Sequence, residues 1–170
     1  MLIYSYICII IKVRSVMKKV IVLGLVCLFF GATLIAQESL VLENGQYYTA
    51  NKELVKGDYT IRYENGNKEA SYTLENGVLN GQAVFYYNSG AKKEVGEYRN
   101  VEKHGKWIKW NESGNKVTEA NYYLGDKEGE WTIWDAEGNK RYEMFYDKGE
   151  KVGTWKMWNE EQELVSEREY

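Results

Sequence analysis

From Gly57 to Tyr170 the chain alternates apolar and polar residues in runs of about six or seven, and the runs stop at turn signals such as Glu64-Asn65-Gly66 or Asn88-Ser89-Gly90. Alternation with a period of two marks a strand with one buried face. Glycine supplies the positive φ that a tight turn needs, so runs paired across these signals predict β-hairpins. A second, looser turn is expected to close each unit, as at Asn76-Gly77-Val78-Leu79-Asn80 and Lys148-Gly149-Glu150-Lys151-Val152. Breakers this close together leave no room for a helix of useful length.

The pattern repeats. Gly57, Gly81, Gly105, Gly129 and Gly153 lie 24 residues apart with no break in register. Counting each as position 1, position 3 is Tyr59, Ala83, Trp107, Trp131 and Trp155, and position 18 is Leu74, Tyr98, Tyr122, Tyr146 and Tyr170. Position 10 is Gly66, Gly90, Gly114, Gly138 and then Gln162, while position 12 is Lys68, Lys92, Lys116, Lys140 and then Leu164. With the turn at positions 9 and 10, positions 3, 5, 14, 16 and 18 share one face, which is expected to be the core. In the fourth unit that face carries Trp131, Ile133, Tyr142, Met144 and Tyr146; Lys109 at position 5 of the third unit is an exception.

The predicted fold is all-β, an elongated single-layer antiparallel meander of repeated β-hairpins, ten strands spanning roughly 45 to 50 Å. Its units are 57–80, 81–104, 105–128, 129–152 and 153–170, preceded by a degenerate N-terminal cap over 37–56. The last unit gains Glu160, Glu161, Glu163, Glu167 and Glu169, and charge on a terminal strand discourages edge-to-edge association.

Composition changes the picture mainly at the N-terminus. The first 36 residues hold Lys12, Arg14, Lys18 and Lys19 and none of the 25 acidic residues. Met17-Lys18-Lys19 followed by the uncharged run Val20 to Ala36 has the basic and apolar regions of a signal peptide over 17–36 within an apolar, helical leader over 1–36. The expected address is export to the periplasm, the outer membrane or the medium, with membrane contact only through an uncleaved leader. Cys8 and Cys27 both lie in the leader, so the remainder forms neither a disulfide nor a thiolate metal site. Past residue 36 the balance is 22 − 4 = 18 basic against 25 acidic residues, a charge of −7 that repels phosphate backbones and argues against nucleic acid.

The openings Gly105-Lys106-Trp107-Ile108-Lys109-Trp110 and Gly129-Glu130-Trp131-Thr132-Ile133-Trp134, followed by the turns Gly114-Asn115-Lys116 and Gly138-Asn139-Lys140, resemble the bacterial variant of the MORN repeat over residues 57–170. Arg62 in the first unit departs from the aromatic that the other units carry there. The resemblance implies β-hairpin arrays that serve as interaction surfaces. Lipid binding has been proposed for eukaryotic members, and some bacterial relatives look like antitoxins that neutralise a partner toxin.

Position 6 carries the main chemical oddity. Three residues after position 3, a regular strand sends Tyr86, Trp110, Trp134 and Trp158 to the opposite face, as an aromatic column spaced about 9.6 Å apart. Such a column is either a platform for a partner protein, a peptide or a glycan, or structural: part of the core if a β-bulge turns it inward, or a second face packed by its own neighbours. Gly57, Gly81, Gly105, Gly129, Gly153, Trp107, Trp131, Trp155, Tyr98, Tyr122 and Tyr146 are expected to be structural. The lone His104 reads as a turn residue, Glu119, Glu143 and Glu167 as a solvated row, and the position-12 lysines as turn-flanking charge that could alternatively meet lipid headgroups. No phosphate loop, zinc spacing or nucleophile motif is present, so neither enzyme chemistry nor a cofactor or metal is expected. The leading expectation is an exported, non-catalytic protein-interaction module; an antitoxin or immunity protein and a glycan or cell-wall binder are the alternatives.

Overall fold

The structure, a computed structural model, describes residues 40–170. The leader and its expected cleavage region lie outside the described residues. The rest is all-β, an antiparallel meander of consecutive hairpins in one open sheet, as the alternation predicted.

A short hairpin, β1 (Val41–Glu43) and β2 (Gln46–Tyr48), precedes the array. The sheet then runs through β3 (Gly57–Arg62), β4 (Lys68–Glu75), β5 (Val78–Tyr86), β6 (Lys92–Arg99), β7 (Glu102–Trp110) and β8 (Lys116–Tyr123). It continues through β9 (Asp126–Lys127), β10 (Gly129–Trp134), β11 (Lys140–Asp147), β12 (Glu150–Trp158) and β13 (Leu164–Glu169). Spatial order follows chain order, β9 being the first part of a strand that Glu128 separates from β10. At that break the Glu128 N–H donates to the Asn121 carbonyl, 2.9 Å.

The expected character of the two turns is reversed. Asn76-Gly77, Asn100-Val101, Leu124-Gly125 and Lys148-Gly149 all have positive φ at both residues, the signature of the two-residue type I′ turn, whose twist matches that of its strands. The turn that looked tight is wider. In the first unit the Tyr63 N–H bonds the Asn67 carbonyl at 2.9 Å across a three-residue loop, with Gly66 at φ 88°. Asn–Gly spelling favours a turn but does not count its residues.

The units lock at both ends. Val101, Gly125 and Gly149 donate their N–H to the carbonyls of Leu79, Lys103 and Lys127, which follow the preceding turn, at 2.8 to 2.9 Å. The β1–β2 segment repeats this contact, with Gly77 N–H to the Val55 carbonyl at 2.8 Å and Tyr47 N–H to the Gly77 carbonyl at 2.7 Å. At the opposite ends Asn67 and Asn115 donate from Nδ2 to the carbonyls of Asn88 and Ala136.

The core lies on the face that the sequence assigned. Trp131 pairs with Met144 and Ile133 with Tyr142 across β10 and β11. Ala120, Trp131, Met144 and Tyr146 form a buried cluster, with Tyr122, Ile133 and Trp155 packed on it. Rings from successive units interleave along this face in the order Tyr98, Trp107, Tyr122, Trp131, Tyr146, Trp155, Tyr170, with centroids 4.7 to 6.4 Å apart. Tilted and edge-on contacts at these distances are the favourable geometry for aromatic pairs. Where position 3 shrinks to Ala83, the Trp107 ring spreads over Gly96 and toward Phe85, 6.4 Å away.

Candidate functional site

The sheet has two faces of different chemistry, and bulges decide which residue lies on which. Each hairpin has a register shift between positions 5 and 6, as between Ile133 and Trp134. The extra residue is on the returning strand: Ile133 pairs with Tyr142 and Trp134 with Lys140, leaving Arg141 over. The position-6 strand therefore keeps its alternation. Tyr86, Trp110, Trp134 and Trp158 emerge opposite the core, and a bulge does not turn them inward.

The two tryptophans of each opening differ in their hydrogen bonds. Trp107, Trp131 and Trp155 donate from Nε1 to the carbonyls of Glu97, Asn121 and Phe145, at 3.1, 2.9 and 3.0 Å, and so tie each unit to the one before it. Among the described residues the Nε1 groups of Trp110, Trp134 and Trp158 donate to nothing, and none is sealed from solvent. These half-buried rings present a donor on the second face that nothing among the described residues engages.

Lysines fill the rungs between them. Lys92, Lys116 and Lys140 each place Nζ over the ring of the next unit, Trp110 at 6.0 Å, Trp134 at 5.2 Å and Trp158 at 5.6 Å. Lys116 and Lys140 also pair with Glu119 and Glu143, three residues on, at 2.6 and 2.8 Å. Lys92 has Val95 at the equivalent place and makes no ion pair among the described residues. From β5 to β12 the second face thus carries an aromatic–cation ladder: Tyr86, Lys92, Trp110, Lys116, Trp134, Lys140, Trp158.

Glu119 also accepts from Lys106, and this bond, reinforced by Lys116, holds its carboxyl below the usual carboxylate range. The position-15 carboxylates are thus engaged with lysines in the third and fourth units and are not simply a solvated row. Thr132, between Glu119 and Glu143, is buried on this second face.

A lysine column missed from the sequence lies on the core face. Lys103 sits 3.7 Å from the Trp107 centroid and 5.3 Å from Tyr122. Lys127 does the same for Trp131 and Tyr146 at 4.7 and 4.6 Å, and Lys151 for Trp155 and Tyr170 at 4.4 and 4.8 Å. Each lysine lids one pair of the aromatic zipper with its ammonium over the rings, and Lys103 also pairs with Glu94 at 2.9 Å. The signal was available, three lysines at position 23.

A hollow of about 190 Å³ on the core face is lined by residues that include Trp107, Lys109, Thr118, Ala120 and Trp131. It lies where the third unit has Lys109, Thr118 and Ala120 in place of Ile133, Tyr142 and Met144 of the fourth, which accounts for the odd lysine noted in the sequence. Tyr72 at the N-terminal end is pushed up to about 12, first by burial and then by Tyr98 and Tyr47 beside it. His104 is not in a turn: it lies within β7, pairs with Glu97 and packs against Tyr123 at 5.4 Å, its Nδ1 buried without a partner among the described residues. The two-residue type I′ turn ends at Val101, so position 24 is already strand.

Among the described residues no three His, Cys, Asp or Glu side chains converge as a metal site would require. No family model matches the chain, and no curated protein matches it in a sequence comparison.

Proposed function

We propose that this chain is a non-catalytic protein-interaction module, exported by its leader, that binds a partner through the second-face ladder of Tyr86, Trp110, Trp134 and Trp158. The observation that carries this reading is the contrast within each opening. Trp107, Trp131 and Trp155 spend their indole N–H on the neighbouring unit, whereas those of Trp110, Trp134 and Trp158, beside a row of lysines, meet no acceptor among the described residues. Aromatic side chains with a free polar handle supply large contact area at low conformational cost. The kinship with bacterial MORN-variant repeats belongs to the same proposal and rests on the repeat motif.

The test is affinity capture from the native host with the full chain as bait, beside a Trp110→Ala/Trp134→Ala double variant whose unfolding is measured in parallel. A partner held by the parent and lost by a still-folded double variant is the expected result. Equal retention by both, or a hydrolytic or transferase activity in the pure protein, contradicts the proposal.

A further inference from the structure

Resting on that reading, we propose that the ladder takes a partner segment in the polyproline II conformation, with proline at every third residue and carboxylates between. Three observations converge on this occupant.

The first is spacing. The aromatic rungs recur every two strands, about 9.6 Å, so the four rings from Tyr86 to Trp158 span roughly 29 Å. A polyproline II helix repeats every three residues at about 3.1 Å each, or roughly 9.3 Å, and drifts only about 1 Å from the ladder over three intervals. The seven-residue repeat of an α-helix, about 10.5 Å, drifts by roughly 3 Å over the same distance. An extended strand presents same-face side chains about 6.7 Å apart and falls out of step at the first rung.

The second is hydrogen bonding. A polyproline II backbone makes no internal hydrogen bonds, so its carbonyls need outside donors. The indole N–H groups of Trp110, Trp134 and Trp158 are donors without an acceptor among the described residues, set beside the rings on which proline packs. A glycan could also lie on the rings, but it supplies no comparable need for donors alone.

The third is charge. Lysine rungs alternate with aromatic ones, and Lys92 makes no ion pair among the described residues. A carboxylate between successive prolines meets this end of the ladder, although the residues past 36 sum to −7.

The probe is a labelled peptide of about ten residues, roughly 31 Å as polyproline II, repeating Pro-Pro-Glu. Fluorescence anisotropy follows its binding to the full chain. The expected result is saturable binding that weakens with salt and falls at least about tenfold when glycine replaces every proline. Trp110→Phe and Trp134→Phe keep a ring but lose the donor; together they are expected to weaken binding about tenfold. Lys92→Glu reverses the charge of an exposed rung and is expected to weaken it several-fold, which keeps the test decisive should a tryptophan variant unfold.

Equal binding of the glycine peptide, indifference to these substitutions, or no binding overturns the inference. So does retention of a neutral oligosaccharide on the same rings in place of the peptide. Host-partner capture that still requires Trp134 while the peptide fails leaves the interaction module standing and removes only its polyproline II ligand.

Discussion

The Trp107 indole lies directly on the backbone of Gly96: a methyl group placed on that glycine falls 2.1 Å from the ring. Gly96 occupies position 16, where the next units carry Ala120 and Met144, and its partner across the hairpin is Ala83. Two small residues in the second unit make the space that the third unit's tryptophan fills. Gly96→Ala is therefore expected to destabilise the protein by about 2 to 3 kcal/mol in urea unfolding. In a Trp107→Ala background the same substitution is expected to cost little, because the clashing ring is gone, and a double-mutant cycle reads the difference.

Val101 holds φ 65° at the second residue of its type I′ turn, where the other units place Gly77, Gly125 and Gly149. A β-branched side chain is strained in that region, and this one is exposed, so its removal forfeits little packing. Val101→Gly is expected to raise stability by about 1 kcal/mol, visible as a higher melting temperature in calorimetry; an unchanged or lower one contradicts the turn assignment.

Lys127 tests the lids of the core face. Lys127→Met keeps an unbranched stem at this lid but removes the ammonium over Trp131 and Tyr146, at an expected cost of about 1 kcal/mol. Lys127→Ala removes the stem as well and is expected to cost roughly twice as much. Equal costs in chemical denaturation mean that the stem contributes nothing, and a costless Lys127→Met means that the charge contributes nothing.

Acid acts on the second face through Glu119. Its carboxyl is held below the usual range by the hydrogen bond from Lys106 and then by Lys116, so the folded state binds its proton less readily than the unfolded state. A depressed group adds stability above its unfolded value of about 4.3, and that contribution is lost as pH falls through the lower folded value. Unfolding free energy is thus expected to be flat in this contribution above about pH 5 and to decline below about 4.3. Glu119→Gln is expected to flatten the acid slope, and an unaltered slope in a series of urea melts removes the assignment.

Much of this was legible because glycine spacing and alternation carry different information. Gly57 through Gly153 fixed the unit, and alternation then placed Trp131, Met144 and Tyr146 on one face and Trp134 on the other. What failed was geometry that composition does not encode. Asn65-Gly66 and Asn76-Gly77 have the same spelling, yet the first closes a three-residue loop and the second a two-residue turn. Which strand takes the extra residue of each bulge decides where Trp110 points, and only the register Lys109 with Thr118 and Trp110 with Lys116 reveals it. Lys103, Lys127 and Lys151 escaped notice because a lysine beside a turn ordinarily faces water; here the aromatic pair beneath it supplies a better seat.

The division of labour between the two faces is tested most directly by urea unfolding of Trp131→Ala beside Trp134→Ala, two residues of one strand that emerge on opposite sides. Trp131 is a buried ring with its N–H bonded to the Asn121 carbonyl, and its loss is expected to cost about 3 to 5 kcal/mol. Trp134 is half-buried, its N–H without an acceptor among the described residues, and its loss is expected to cost under about 1.5 kcal/mol. Equal destabilisation by the two substitutions contradicts a packed face and a binding face.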